Sequence, residues 1–250
     1  MVALLRSVLS WLDIVECEWL GGDSSARLLA QLTPPDDGAA WCHRCGLTVA
    51  RGERRAPCVT CEGHRLPYGR VVRLGEMAGG WKYLIHSVKY GRDPVAAEIL
   101  GRRLGEQYAA CTEEEVRSDR IVVPMPAAPI RAWHRGIDTT REIAIALART
   151  LSAPLIRPLL HRGGPPRSSQ SRQERASRRF SVKRGWRPGD LAGLHVLIVD
   201  DVLTTGTTIR EASRLLRHLG AASVEAAVVA VTPEGARRLA SRSQNLDSTP

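Results

Sequence analysis

The sequence predicts an α/β domain, a parallel sheet flanked by helices, preceded by a small cysteine-bearing module. Three observations carry this expectation. Short, near-continuous apolar runs alternate with segments of helical period between Gly79 and Val231, the pattern of strands buried on both faces and connected by helices. Two Cys-x2-Cys pairs stand close together ahead of that region. With 250 residues, 43% hydrophobic and 25% charged, the chain can bury one ordinary core beside a small module, and it lacks the composition of disordered, collagen-like or coiled-coil proteins.

The elements follow in order. Leu5, Val8, Leu9, Leu12 and Val15 recur at helical spacing, so an amphipathic helix is expected there. Ser7, Ser10, Asp13 and Glu16 interrupt the apolar positions, and the segment is not read as a signal peptide. The run Thr33-Pro-Pro-Asp-Asp-Gly38 reads as a linker. The expected organisation is a helical segment with linker over 1–38, the cysteine module over 39–75, the α/β domain over 76–240 and a flexible tail over 241–250. Trp81, Leu84, Ile85 and Val88 form a helical stripe stopped by Gly91 and Pro94, and a second helix is expected from Ala96 to Ala110. Arg120 to Val123 reads as a buried strand, Thr139 to Leu151 as a helix, His195 to Asp200 as a strand, Thr207 to Leu219 as a helix and Ser223 to Val231 as a final strand. No apolar run approaches the roughly 18 to 20 residues of a membrane helix, and a cytoplasmic location is expected.

The formal net charge is +10. Nine basic residues against one acid lie between His161 and Pro188, so one Gly-, Pro-, Ser- and Arg-rich segment holds most of the excess. Charge alone leaves two readings, a solvated basic loop or an electrostatic lid for phosphate. The segment has neither helical nor strand period, and loops of that length in a compact domain are usually functional or disordered.

Cys42-His-Arg-Cys45 and Cys58-Val-Thr-Cys61 have the bite of two metal knuckles. Four thiolates brought to one point make the tetrahedral shell that structural zinc prefers. The competing reading is two disulfides, which a reducing compartment disfavours. A four-cysteine site has no open coordination position, so its expected role is structural.

The most informative run is Val196-Leu-Ile-Val-Asp-Asp-Val-Leu-Thr-Thr-Gly-Thr-Thr208. A buried strand delivers two carboxylates, and a hydroxyl-rich turn leads directly into a helix. The first turn of that helix has unsatisfied N–H groups and the positive end of its dipole, so Thr204, Thr205, Gly206, Thr207 and Thr208 form a cradle for a phosphate monoester. Asp200 and Asp201 would repel phosphate; a sugar diol suits them better, as does positive charge developing at an anomeric carbon. The spacings of the Walker and dinucleotide loops are absent. A phosphorelay receiver would need a downstream lysine, and none follows Asp201.

This run resembles the phosphoribosyl-pyrophosphate (PRPP) motif of type I phosphoribosyltransferases, and the chain from Cys42 to about Val231 resembles the ComF family, an amidophosphoribosyltransferase-like group tied to DNA uptake. The resemblance rests on the zinc knuckles, Ile85-His-Ser-Val-Lys-Tyr-Gly91, Val122-Val-Pro-Met-Pro126, Arg135-Gly136, Glu174-Arg175 and the acidic run. It implies a type I phosphoribosyltransferase fold with a small zinc ribbon, structural zinc, and PRPP bound with magnesium. It also implies catalytic roles for Asp200 and Asp201, and pyrophosphate contacts from Pro124, Met125, Lys89 and Arg175. An exposed helix lysine is the other reading of Lys89. Implied partners are PRPP or another phosphorylated ribose, single-stranded DNA and proteins of the competence machinery. The chain departs from the family where Arg135-Gly136 continues as Ile137-Asp138-Thr139, and where Arg167 and Arg178 replace the usual Gln and Asn; these positions belong to the side where a second substrate would bind.

Overall fold

The structure is a computed structural model that describes residues 41–49, 57–90, 93–112, 119–127, 138–162 and 179–232. The expected N-terminal helix, Arg135-Gly136, Arg175 with most of the basic segment, and the C-terminal tail lie outside the described residues.

Among the described residues ten elements follow one another: β1 (Val71–Glu76), α1 (Gly79–Tyr90), α2 (Pro94–Thr112), β2 (Arg120–Pro124), α3 (Thr139–Thr150), β3 (Leu159–His161), β4 (Phe180–Val182), β5 (His195–Leu203), α4 (Thr207–His218) and β6 (Ser223–Val231). Four strands form one parallel sheet in the order β1-β6-β5-β2. The central strands β5 and β6 are apolar on both faces, as a sheet covered from both sides requires. On one face Leu197, Val199, Ala227 and Val229 pack against Leu84, Ile85 and Val88 of α1, Leu100 and Leu104 of α2, and Ile143 and Leu147 of α3. On the other, Val196, Ile198, Ala226 and Val228 pack against Ile209, Ala212 and Leu216 of α4.

Helices α2 and α3 approach closely because glycine permits it. A Cβ on Gly101 would lie 2.3 Å from the Ile143 carbonyl oxygen and 2.6 Å from the Ala146 Cβ. The contact matters for function because α3 begins beside the carboxyl ends of the strands. Its first turn is held by Asp138, whose side chain accepts from the Arg141 N–H, and by the Thr139 hydroxyl, which donates to the Val88 carbonyl of α1.

Two features differ from the sequence-based expectation. Residues 71–76, assigned for the most part to the cysteine module, form an edge strand of the main sheet, with Val71 opposite Ala226 and Glu76 opposite Val231. Arg73 interrupts this apolar run yet is buried, its guanidinium bonded to the Thr48 hydroxyl and lying 5.7 Å from the Trp41 ring centre. The cysteine module therefore runs alongside β1, and the Val71 N–H donates to the His43 carbonyl. Second, the basic segment without a period is bracketed by a short antiparallel pair, β3 and β4, with His161 opposite Phe180.

Candidate functional site

The site forms where β5 ends. Strand pairing with β6 continues past the acidic pair to Val202 opposite Ala230 and Leu203 opposite Val231, so Asp200 and Asp201 both lie within the strand, which ends three residues beyond the expected Asp200. Val199 and Val202 both pack on the α1–α3 face, which strict alternation along a strand forbids. The pleat therefore breaks across the two acids. There the Asp201 N–H donates to Asp200 Oδ1 at 2.9 Å, a local side-chain bond that competes with the ladder.

The two carboxylates have different partners. Lys89, in the last turn of α1, places Nζ 2.7 Å from Asp201 Oδ2, and the two side chains are only 19% and 16% exposed. The carbonyl end of α1 favours a cation at that point. Lys89 is thus not the exposed helix lysine that composition allows. Among the described residues no cation reaches Asp200 as directly. Burial, then the adjacent Asp201 charge, push its carboxyl up to about 8, with Asp138 adding in the same direction and Lys89 opposing. Near neutral pH Asp200 carries a proton for much of the time and can donate as well as accept a hydrogen bond.

The turn after β5 brings the helix start beside these acids. Gly206 occupies the left-handed region at φ 67° and precedes α4 with no side-chain capping bond. Glycine is the residue that adopts this conformation without cost. The Gly206 carbonyl accepts the first helical bond, from the Arg210 N–H at 2.9 Å. The earlier N–H groups of the first turn have no intrahelical acceptor. Thr204 is exposed, Thr205, Thr207 and Thr208 are partly so, and the Thr205 and Thr207 hydroxyls lie 3.0 Å apart and share a hydrogen bond. The cradle is open, with one hydroxyl pair closed on itself.

The structure thus gathers Asp200, Asp201, the Thr204–Thr208 turn and Lys89. It also places Pro124 and Met125 at the end of β2, which pairs with β5 up to Pro124 opposite Val199. The Met125 N–H donates to the Val199 carbonyl at 2.8 Å, and prolines 124 and 126 have no N–H, so this turn offers an anion no free amide over residues 124–126. Sequence reasoning noted Asp138 only as a departure from a pattern. Its position before Thr-Thr-Arg141, three residues from the amide it caps, is a helix-start signal that places a third carboxylate near the pair.

In the cysteine module, Cys42 and Cys61 Sγ lie 3.6 Å apart, Cys45 and Cys58 3.6 Å, and Cys58 and Cys61 3.8 Å. All four sulfurs fall within 4.8 Å of one another and all four residues are buried. Four thiolates about 2.3 Å from a central zinc stand about 3.8 Å apart, so the cluster fits a tetrahedral metal ion. Among the described residues none is disulfide-bonded. No helix among them is long and apolar enough to cross a membrane.

Comparison with known proteins agrees with this geometry. A phosphoribosyl transferase domain family matches residues 163–247. The DNA utilization protein YhgH of Escherichia coli O157:H7 is 30% identical over 187 residues, spanning 74% of this chain and 81% of the relative. Competence protein F of Haemophilus influenzae is 24% identical over 74% of this chain and 82% of its own length. A shorter stretch of 48 residues, 19% of this chain and 18% of the relative, is 54% identical to ribose-phosphate pyrophosphokinase 2 of Archaeoglobus fulgidus. The parallel sheet flanked by helices in this chain is the type I phosphoribosyltransferase fold, its four-cysteine cluster is compatible with a zinc ribbon, and the chain belongs to the ComF family that includes YhgH and competence protein F.

Proposed function

We propose that the chain binds PRPP at the carboxyl end of β5 and transfers its phosphoribosyl group. One observation carries the reading: a single strand places two carboxylates immediately before a helix start that no side chain caps and that Gly206 opens to close approach. The 5-phosphate sits on the amides of Thr207, Thr208 and Ile209, assisted by threonine hydroxyls. The ribose hydroxyls lie against Asp200 and Asp201. As the bond from the anomeric carbon to pyrophosphate breaks, its electron pair leaves with pyrophosphate, and the Asp201 carboxylate, joined by Asp200 when it is ionised, stabilises the positive charge left on the sugar until a nucleophile attacks. Lys89 holds Asp201 in place through their ion pair. The relatives' phosphoribosyl and ribose-phosphate names support this substrate class.

Hard oxygen donors at Asp200 and Asp201 would suit magnesium bound with PRPP, which would neutralise charge on the leaving pyrophosphate. Zinc fits the Cys42, Cys45, Cys58 and Cys61 cluster and has a structural role there. The decisive assay is release of pyrophosphate from PRPP across a panel of amine and nucleobase acceptors. Asp201→Asn should lower the rate by about a hundredfold or more, the scale of losing one electrostatic stabiliser; release unchanged by that substitution would count against the reading.

A second reading is favoured by the relatives' names, DNA utilization and competence. On it the Arg-rich segment neutralises the backbone phosphates of single-stranded DNA, with the fold as scaffold and competence proteins as partners. Binding that steepens at low salt and is lost when Arg172, Arg175, Arg178 and Arg179 are neutralised supports it, and no binding at low salt removes it.

A further inference from the structure

At the opposite, amino-terminal edge of the sheet lies a cavity of about 150 Å³ lined by Arg70, Tyr108, Arg120, His195, Ser223 and Glu225, among others. Register explains how they meet. Arg120 opens β2 opposite His195 of β5, and His195 lies opposite Ser223 of β6, so three polar residues form one row across three strands. Two residues further along each strand, Val122, Leu197 and Glu225 share that face by alternation. Val122 and Leu197 are core residues against α2; Glu225 instead accepts from the Tyr108 hydroxyl of α2. Arg70 lies 4.0 Å from the same carboxylate and donates to the Cys111 carbonyl.

The partners are unevenly shared. Glu225 is answered by Tyr108 and Arg70. His195 is held between the Ser223 hydroxyl at 2.6 Å and Asp119 at 3.3 Å. Arg120 has no such partner. It is 8% exposed, its guanidinium lies 4.9 Å from the centre of the Tyr108 ring, and among the described residues no carboxylate or hydrogen-bond acceptor reaches it. A cation largely buried against an aromatic face, with donors that open onto the cavity and meet no protein acceptor there, is a ready anchor for an anion. The cavity is several times larger than a single ordered water needs.

We propose that this cavity is a second anion site, separate from the acidic pair, which takes a phosphate-class oxyanion on Arg120, with Arg70 adding charge and the Ser223 hydroxyl a hydrogen bond. Two sources share that chemistry, free inorganic phosphate and the head of a phosphomonoester. The test follows the His195 ring resonances by NMR in zinc-loaded protein titrated with inorganic phosphate and, separately, with ribose 5-phosphate. The proposal predicts a saturable His195 shift with phosphate that survives Asp201→Asn, is lost in Arg120→Met, and persists with affinity weakened on the order of tenfold in Arg120→Lys, which keeps the charge without the planar fork. Should Arg120→Met fail to fold, Arg120→Lys carries the test. A shift with phosphate alone assigns the site to the free anion, and a shift with both ligands assigns it to a phosphomonoester head. No His195 shift with either ligand, or a shift indifferent to Arg120, overturns the proposal. Because Asp201→Asn must leave the shift intact, failure of the PRPP reading and failure of this one give different results.

Discussion

Replacing Lys89 with methionine preserves most of the side-chain volume and removes the charge 2.7 Å from Asp201 Oδ2. At an effective dielectric constant of about 20, a pair at that distance attracts by roughly 6 kcal/mol before desolvation. Much of this is offset by the cost of taking both ions out of water, but removing one partner leaves that cost on the other, and broken buried pairs typically lose about 3 to 5 kcal/mol. Here each side chain keeps some solvent contact, 19% and 16%, which places the expected loss at the lower end of that range. Lys89→Met should therefore destabilise the protein by about 3 kcal/mol. Urea unfolding of wild type, Lys89→Met, Asp201→Asn and the double variant, all zinc-saturated, yields the coupling directly. A coupling of about 2 to 3 kcal/mol is expected. A value below about 0.5 kcal/mol, that of an exposed pair, refutes the argument that Lys89 and Asp201 form a unit.

Other expectations follow from the same geometry. Asp200 is raised from 3.8 to about 8, so between those values the folded protein retains a proton that the unfolded chain has released. Its contribution to stability is complete below about pH 4 and is lost as pH rises through about 8, at up to about 1.4 kcal/mol per pH unit; Asp200→Asn should remove that slope from the urea-derived stability curve. Gly101→Ala gains about 1 kcal/mol of helix propensity, but its methyl would meet the Ile143 oxygen at 2.3 Å. Overpacking should dominate, with a net loss of about 1 to 2 kcal/mol in the same urea assay. Metal analysis should give one zinc per chain, and Cys58→Ser should release most of it and lower the melting temperature, since structural zinc sites contribute their binding energy to folding.

Much of the fold is legible in the sequence because its signals are local. Leu84, Ile85 and Val88 declare α1 by period alone, and β6 reads as strand from Ser223 to Val231 because it is central and apolar on both faces. Strand β1 is harder to see: Arg73 breaks its apolar run, and tertiary neighbours such as Trp41 and Thr48, together with Glu76, make that arginine tolerable. β5 outlasts its apolar stretch because pairing with β6, not side-chain polarity, decides where the strand ends. At the site, the acids and the threonine turn announce themselves as a contiguous run. Lys89 and Asp138 do not, because their roles depend on α1 and α3 ending and beginning beside β5, a tertiary fact that no local window contains. The row of Arg120, His195 and Ser223 is invisible for the same reason, since register alone joins three residues so far apart in the chain.

The most direct test of the central claim is calorimetric titration of the zinc-loaded protein with PRPP and magnesium. One PRPP should bind per chain, weakened on the order of tenfold or more by Asp201→Asn, which removes a charged acceptor from the ribose, and by Gly206→Ala, which strains a left-handed residue at the phosphate cradle. Absence of binding, or binding that neither substitution alters, would contradict the placement of a phosphosugar at the end of β5.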